Sequence, residues 1–106
     1  PRLRLTWKVS DKLPPNKMFI VDFNVENIGS ILVEDIRLEA DLGDGLVHRF
    51  GKQIVYRIKE LAAGQTYHCQ MFLVSPSSGK RHGALRLKAG DAVFQEDNLS
   101  FEVVAE

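Results

Sequence analysis

Residues 19–29 read Phe-Ile-Val-Asp-Phe-Asn-Val-Glu-Asn-Ile-Gly, and this stretch decides the fold class. Large apolar side chains occupy every second position from Phe19 to Val25, and mostly polar side chains lie between them. Successive side chains of a β-strand point to opposite faces of the sheet, so a period of two predicts a half-buried strand. Asn27 and Gly29 tolerate positive φ, so we expect the strand to end there in a turn.

The same period of two continues on both sides of this stretch. Alternating apolar residues begin at Leu3, Ile36, Ile54, Tyr67, Leu85 and Leu99, and Val93-Phe94 forms a shorter apolar piece. The segment 46–50 fits either a short strand or an irregular crossing. No window of helical length has a 3.6-residue period, so seven or eight short strands with turns between them predict an all-β sandwich or barrel.

Length and composition exclude several classes of protein. The chain has 106 residues, a mass of 12.0 kDa, a formal net charge of zero and a sequence pI near 7.4. This predicts one domain over residues 1–106, and the start at Pro1 predicts a segment of a longer protein. The charge balance argues against a nucleic-acid partner. No apolar run approaches the ~20 residues of a membrane helix, so no membrane insertion by this segment is expected.

One motif in the sequence matches a catalytic pattern. Residues 77–80 match the S-x-x-K pattern, in which a lysine helps to activate a serine nucleophile. That pattern works at the start of a helix and needs partner motifs, whereas residues 77–80 lie in a stretch rich in Ser, Gly and Pro. We therefore predict no catalytic residue, no cofactor-binding residue and no enzymatic activity.

Metal ligands are also present in the sequence, but their spacing does not favour a site. The candidate nitrogen and sulfur ligands are His48, His68, His82 and Cys69. His68 and Cys69 are neighbours on a predicted strand and point to opposite faces, and no C-x-x-C or H-x-x-x-H spacing occurs. The oxygen ligands that calcium prefers are present at Asp41, Asp44, Asp91, Glu96 and Asp97, but residues 41–45 lack the spacing of an EF-hand. Turn formation is the favoured interpretation of these residues, and calcium binding by the acidic loops stays open. We predict no metal ligand, and Cys69 is interpreted as a small apolar strand residue.

The segment 75–83 is predicted to be a polar hairpin loop that carries the basic cluster Lys80-Arg81-His82. Loops at the end of a sandwich are a common place for contacts with partners. The candidate contact residues are Ser77, Ser78, Lys80, Arg81 and His82. A solvated edge that protects the sheet from wrong pairing explains the same charges, so both interpretations stay open.

The turn residues resemble those of a known group of domains. The segment 23–29 resembles the strand and N-x-G turn of bacterial immunoglobulin-like surface repeats of the CARDB and DUF11 types. The segments 36–38, 45–46 and 61–66 follow in the order that those repeats show. Leu61-x-x-Gly64-x-x-Tyr67 also resembles the tyrosine corner of fibronectin type III domains, which implies a hydrogen bond from the Tyr67 hydroxyl to nearby backbone.

The resemblance implies an all-β, immunoglobulin-like antiparallel β-sandwich of about seven strands. It also implies a non-catalytic spacer or adhesive module of a larger cell-envelope or secreted protein, with neighbouring domains and a further protein as partners. The alternative is an intracellular, cytoplasmic adaptor that binds a partner peptide by adding a strand to an exposed sheet edge. The low threonine content and the unpaired Cys69 favour this alternative.

Overall fold

The computed structural model describes residues 2–105; Pro1 and Glu106, the outer bounds of the predicted domain, lie outside this range. The described residues form seven β-strands and no helix. The strands are β1 (Leu3–Val9), β2 (Met18–Asn27), β3 (Val33–Leu42), β4 (Gln53–Leu61), β5 (Thr66–Val74), β6 (Gly79–Ala89) and β7 (Ala92–Val103). One sheet has the order β1-β2-β5 and the other β4-β3-β6-β7, with antiparallel pairing throughout. The predicted antiparallel β-sandwich of seven strands is confirmed.

The core lies between the two sheets and follows the alternation seen in the sequence. On β2, the side chains of Val21, Phe23 and Val25 are fully buried, and the positions between them are only partly covered. On β3, Ile36 and Leu38 face them from the other sheet. Burial of these side chains is the main stabilising term of the fold, because each large aliphatic or aromatic group contributes about 1.5–3 kcal/mol.

Two stretches differ from the sequence expectation. The piece at Val93 and the final strand are one continuous strand, β7, which pairs with β6 over almost its whole length and shifts register once, beside Leu87. The segment 75–83 is not a hairpin loop, because residues 79–83 already belong to β6 and pair with the end of β7. Only residues 75–78 link β5 to β6, and they cross from one sheet to the other.

The segment 43–52 is mostly irregular, which settles the alternative left open for residues 46–50. Its one regular contact is a bridge between Val47 and Val74, in which each backbone N–H donates to the carbonyl of the other at 2.8 and 3.1 Å. This bridge covers the end of the outer edge of β5.

Asn27 is a fully buried polar residue at the end of β2. Its Nδ2 donates to the carbonyl oxygens of Ile31 and Leu61 at 2.8 and 2.9 Å, and its Oδ1 accepts from the Gly29 N–H at 3.0 Å. Its backbone N–H and C=O are bound to residues 64–65. One side chain therefore ties the turn after β2 to the corner between β4 and β5, which belong to different sheets.

The corner at residues 61–66 is present, but a different residue closes it. Tyr67 is 38% exposed, and its hydroxyl has no hydrogen-bond partner among residues 2–105. The hydrogen bond expected from the Tyr67 hydroxyl is thus not formed. Asn27 supplies the closing hydrogen bond instead, because its amide reaches the Leu61 carbonyl from the neighbouring turn.

We expect Asn27→Ala to lower the free energy of unfolding by about 3–4 kcal/mol, because two carbonyls and one N–H lose their partner in a buried place. Asn24→Ala, on the outer face of the same strand, is the matched control and should change stability by about 0.5 kcal/mol or less. Equilibrium denaturation with urea measures both. Equal midpoints for Asn27→Ala and the unmutated protein would show that the buried amide is not a structural tie.

Candidate functional site

The structure divides the predicted contact residues into two groups. Ser77 and Ser78 are exposed in the link 75–78, and Lys80 and His82 are exposed on β6. Arg81 lies between the latter two on the same strand and therefore points to the opposite face of the sheet. Its side chain turns back under the link 75–78, whereas the other four side chains face solvent.

The Arg81 guanidinium donates hydrogen bonds to neutral oxygens around it. Nε donates to Ser75 Oγ at 3.0 Å, and Nη2 donates to the Ser77 carbonyl, Ser77 Oγ and the Ser78 carbonyl at 3.0, 2.9 and 3.2 Å. Nη1 donates to the Lys80 carbonyl at 2.9 Å. The Ser75 side chain is fully buried and donates to the Ser77 carbonyl at 2.6 Å. Arg81 therefore holds the link 75–78 in one conformation.

Gly45 shows how closely this arginine packs. A Cβ at residue 45 would lie 2.4 Å from Arg81 Nε, and the φ of Gly45 is +84°, a value that favours glycine. The segment 43–52 thus packs over the same guanidinium as the link 75–78. Arg81 therefore holds the link 75–78 by hydrogen bonds and packs against the segment 43–52 at the same end of the sandwich.

A polar groove of about 570 Å³ lies on the outer face of the four-stranded sheet. One row of side chains across the strands is Gln53, Asp41, Ala84 and Asn98, and the next is Val55, Glu39, Arg86 and Glu96. Ala84 has the smallest of these side chains, and the space above it gives the groove its depth. Arg86 Nε lies 3.9 Å from Glu96 Oε1. Glu39, Asp41 and Asp97 also line the groove, so it carries more acidic than basic side chains.

This groove was not predictable from the sequence. The side chains that line it are mostly polar and come from four separate strands, and each by itself is typical of a solvated strand face. Only the register of β3 against β4 and β6 brings Asp41, Gln53 and Ala84 into one row. Register depends on long-range pairing, so no local pattern in the sequence indicated it.

The three histidines lie on different elements. His68, on β5, has Nε2 3.0 Å from Asp22 Oδ1, and Gln70 donates to the same oxygen at 3.0 Å. The hydrogen bond from Gln70 and, to a smaller extent, the one from His68 lower the pKa of the Asp22 carboxyl. His48 packs beside Phe50, and its pKa is lowered by burial. Within residues 2–105, no group of three or more His, Cys, Asp and Glu side chains converges.

Cys69 lies on the inner side of β5, opposite Phe23 of β2. It is partly buried and packs against the core. Burial raises the pKa of its thiol from 9.0 to about 11. A thiol in this state is mostly protonated at neutral pH, and the thiolate is the nucleophilic form, so the site disfavours reactive chemistry at Cys69.

Comparison with solved structures identifies the fold. The crystal structure of the CARDB domain of the PF1109 protein from Pyrococcus furiosus, described as a complex with di-metal ions, superposes with a TM-score of 0.77 at 15% identity. The match covers 100% of this chain and 96% of that one. The solution NMR structure of the same domain gives a TM-score of 0.76 at 15% identity, over 98% and 95% of the two chains.

A PapD-like domain is also similar. The ASH/PapD-like domain 7 of human CEP192 has a TM-score of 0.57 at 10% identity, over 99% of this chain and 87% of that one. No family model matches the chain, and no curated protein matches its sequence. The chain therefore has the immunoglobulin-like fold of a CARDB domain, as the resemblance implied. Among residues 2–105, no helix has the length and apolar character needed to cross a membrane.

We expect Arg81→Ala to lower the free energy of unfolding by about 2–3 kcal/mol, because it leaves the buried Ser75 hydroxyl and nearby carbonyls without their donor. Arg81→Lys should restore only part of this, since an ammonium cannot reproduce the fork of the guanidinium. Lys80→Ala is the control and should change stability by about 0.5 kcal/mol or less. Urea denaturation compares the three. Equal effects of Arg81→Ala and Lys80→Ala would contradict the structural role of Arg81.

Cys69 should react with iodoacetamide at pH 8 roughly a hundredfold more slowly than a thiol of pKa 9.0, because its pKa is about 11. Addition of denaturant should remove the protection. Since the folded state holds this proton more tightly, the thiol's contribution to stability is complete below pH 9.0 and is lost as the pH rises towards 11. Mass spectrometry of the alkylated protein over time measures the rate. Full reactivity in the folded protein would contradict the placement of Cys69.

Proposed function

We propose that this domain is a non-catalytic spacer or adhesive module of a larger cell-envelope or secreted protein. The observation that carries the proposal is the placement of the first and last strands. β1 begins at Leu3, which pairs with Asn27, and β7 ends at Val103, which pairs with Gly79. These two pairs lie at opposite ends of a molecule 47 Å long, 23 Å wide and 19 Å thick.

This placement suits a spacer because chain on either side would attach at opposite ends of the long axis. Each copy would then add about its full length of 47 Å to the distance between its neighbours. A domain whose chain entered and left at the same end would add little length. The elongated shape and the polar ties at both ends favour a rigid unit over a flexible link.

The adhesive part of the proposal rests on the end where β7 finishes. Ser77, Ser78, Lys80 and His82 are exposed there, and Arg81 holds the segment beneath them in place. Binding to a preformed surface loses less conformational entropy than binding to a mobile loop. Lysine and two hydroxyls suit a protein partner that presents carboxylates or backbone carbonyls.

The alternative function is that of an adaptor, which binds a peptide by strand addition. It is less favoured because other residues cover parts of both outer edges of the three-stranded sheet. Gln95 of β7 bonds the backbone of Leu5 on the outer edge of β1, and Val47 bonds Val74 on the outer edge of β5. The Tyr56 hydroxyl also donates to the Gln70 carbonyl at 3.3 Å. A peptide would have to displace these contacts, so both edges of this sheet are poor sites for strand addition.

Protease treatment of intact cells that carry the tagged, full-length parent protein tests the proposal. We expect added protease to remove this domain before lysis, while a cytoplasmic marker protein stays intact. Cleavage only after lysis would contradict exposure on the cell surface and would leave a cytoplasmic or periplasmic interior. In that case, a pull-down with the isolated domain would be the next test of the adaptor alternative.

A further inference from the structure

The first and last strands of the domain lie side by side although they belong to different sheets. β1 runs from the Asn27 end towards the Gly79 end, and β7 runs in the same direction. The two strands are in contact along one side of the sandwich. A pull on the two ends of the chain therefore draws β1 and β7 in opposite directions along their common axis.

One side chain joins these strands. Gln95 of β7 accepts a hydrogen bond from the Leu5 N–H at Oε1, 2.9 Å away, and donates to the Leu5 carbonyl from Nε2 at 3.0 Å. Asp97 Oδ2 accepts a second hydrogen bond from the same Nε2 at 2.9 Å, which fixes the orientation of the amide. The Gln95 amide thus bonds β1 as the backbone of a neighbouring strand would.

The position of this contact matters because β1 is the shortest strand and has only one neighbour in its sheet. It pairs with β2 over the residues from Leu3 to Val9, whereas β7 pairs with β6 over most of its length. End-to-end tension loads the β1–β2 ladder and the Gln95 contact together, parallel to the strands. All these hydrogen bonds must then break together, rather than one after another.

We propose that the domain resists tension between its two ends. The hydrogen bonds between Gln95 and Leu5, here called the clamp, hold β7 to β1 under this tension. This inference rests on the proposed spacer function and adds a mechanical role to it. Gln95 is well suited to the task because one amide carries both the donor and the acceptor that an exposed strand edge requires. The contact also protects the edge of β1 from wrong pairing. Because it joins the two terminal strands, however, it bears force whenever the chain is stretched.

Single-molecule unfolding at constant force, with handles at the two ends of the chain, tests the proposal. We expect Gln95→Ala to unfold about tenfold faster than the unmutated protein at the same force, because two hydrogen bonds in the load path are lost. Gln70→Ala is the matched control, since it also removes a hydrogen bond between strands, to Asp22 of β2, but acts outside the terminal strands. Its unfolding rate should change by about twofold or less.

A second pulling direction separates a mechanical role from a general stabilising one. Handles at positions 17 and 76, beside the paired ends Met18 and Val74, open the β2–β5 ladder one bond at a time. The unmutated protein should yield at a lower force in this direction, and Gln95→Ala should have little effect on it. Equal forces in both directions, or an equal effect of Gln95→Ala in both, would overturn the proposal.

These outcomes are independent of where the parent protein is located. A domain that resists tension but is cut only after lysis would refute the placement on the cell surface and leave the clamp intact. A domain on the cell surface that yields equally in both directions would refute the clamp and leave the spacer intact.

Discussion

The buried amide of Asn27 is the contact on which the arrangement of the two sheets depends. Burial of apolar side chains drives the sheets together, but it has little directional preference and tolerates sliding. Asn27 removes this freedom because a polar group with no solvent exposure must find its partners, and they lie in the turn after β2 and at the end of β4. Any shift of one sheet against the other would break a hydrogen bond that water cannot replace.

The other polar contacts repeat the same principle along the sandwich. At the opposite end, the buried Ser75 hydroxyl and the Arg81 guanidinium hold the crossing from β5 to β6. Along one side, Gln95 joins β7 to the edge of β1. The apolar core lies between these contacts, so hydrophobic burial supplies most of the stability and a few amide and guanidinium groups determine the relative position of the strands.

How much of this could be predicted from the sequence depended on the range of the interactions. The alternation of β2 and β3 is a local property, and it predicted both the strands and their buried faces. The inward position of Arg81 was not predictable, because its acceptors are neutral oxygens that only the folded chain brings together. Asn27 was identified as a turn residue from its backbone preference, but its role as a tie to Leu61 depends on a contact 34 residues away in the chain.

The covered edges bear on the suitability of the fold for a role beside other domains. Domains in one chain are held at high local concentration, where exposed strand edges pair wrongly and domains exchange strands. Gln95 and Val47 satisfy backbone groups on the two outer edges of the three-stranded sheet. On the outer strand β4, the consecutive residues Lys59 and Glu60 carry charge and are exposed, which disfavours pairing with another apolar edge. The same contacts that make strand addition unfavourable therefore make the domain suitable for a place in a row of modules.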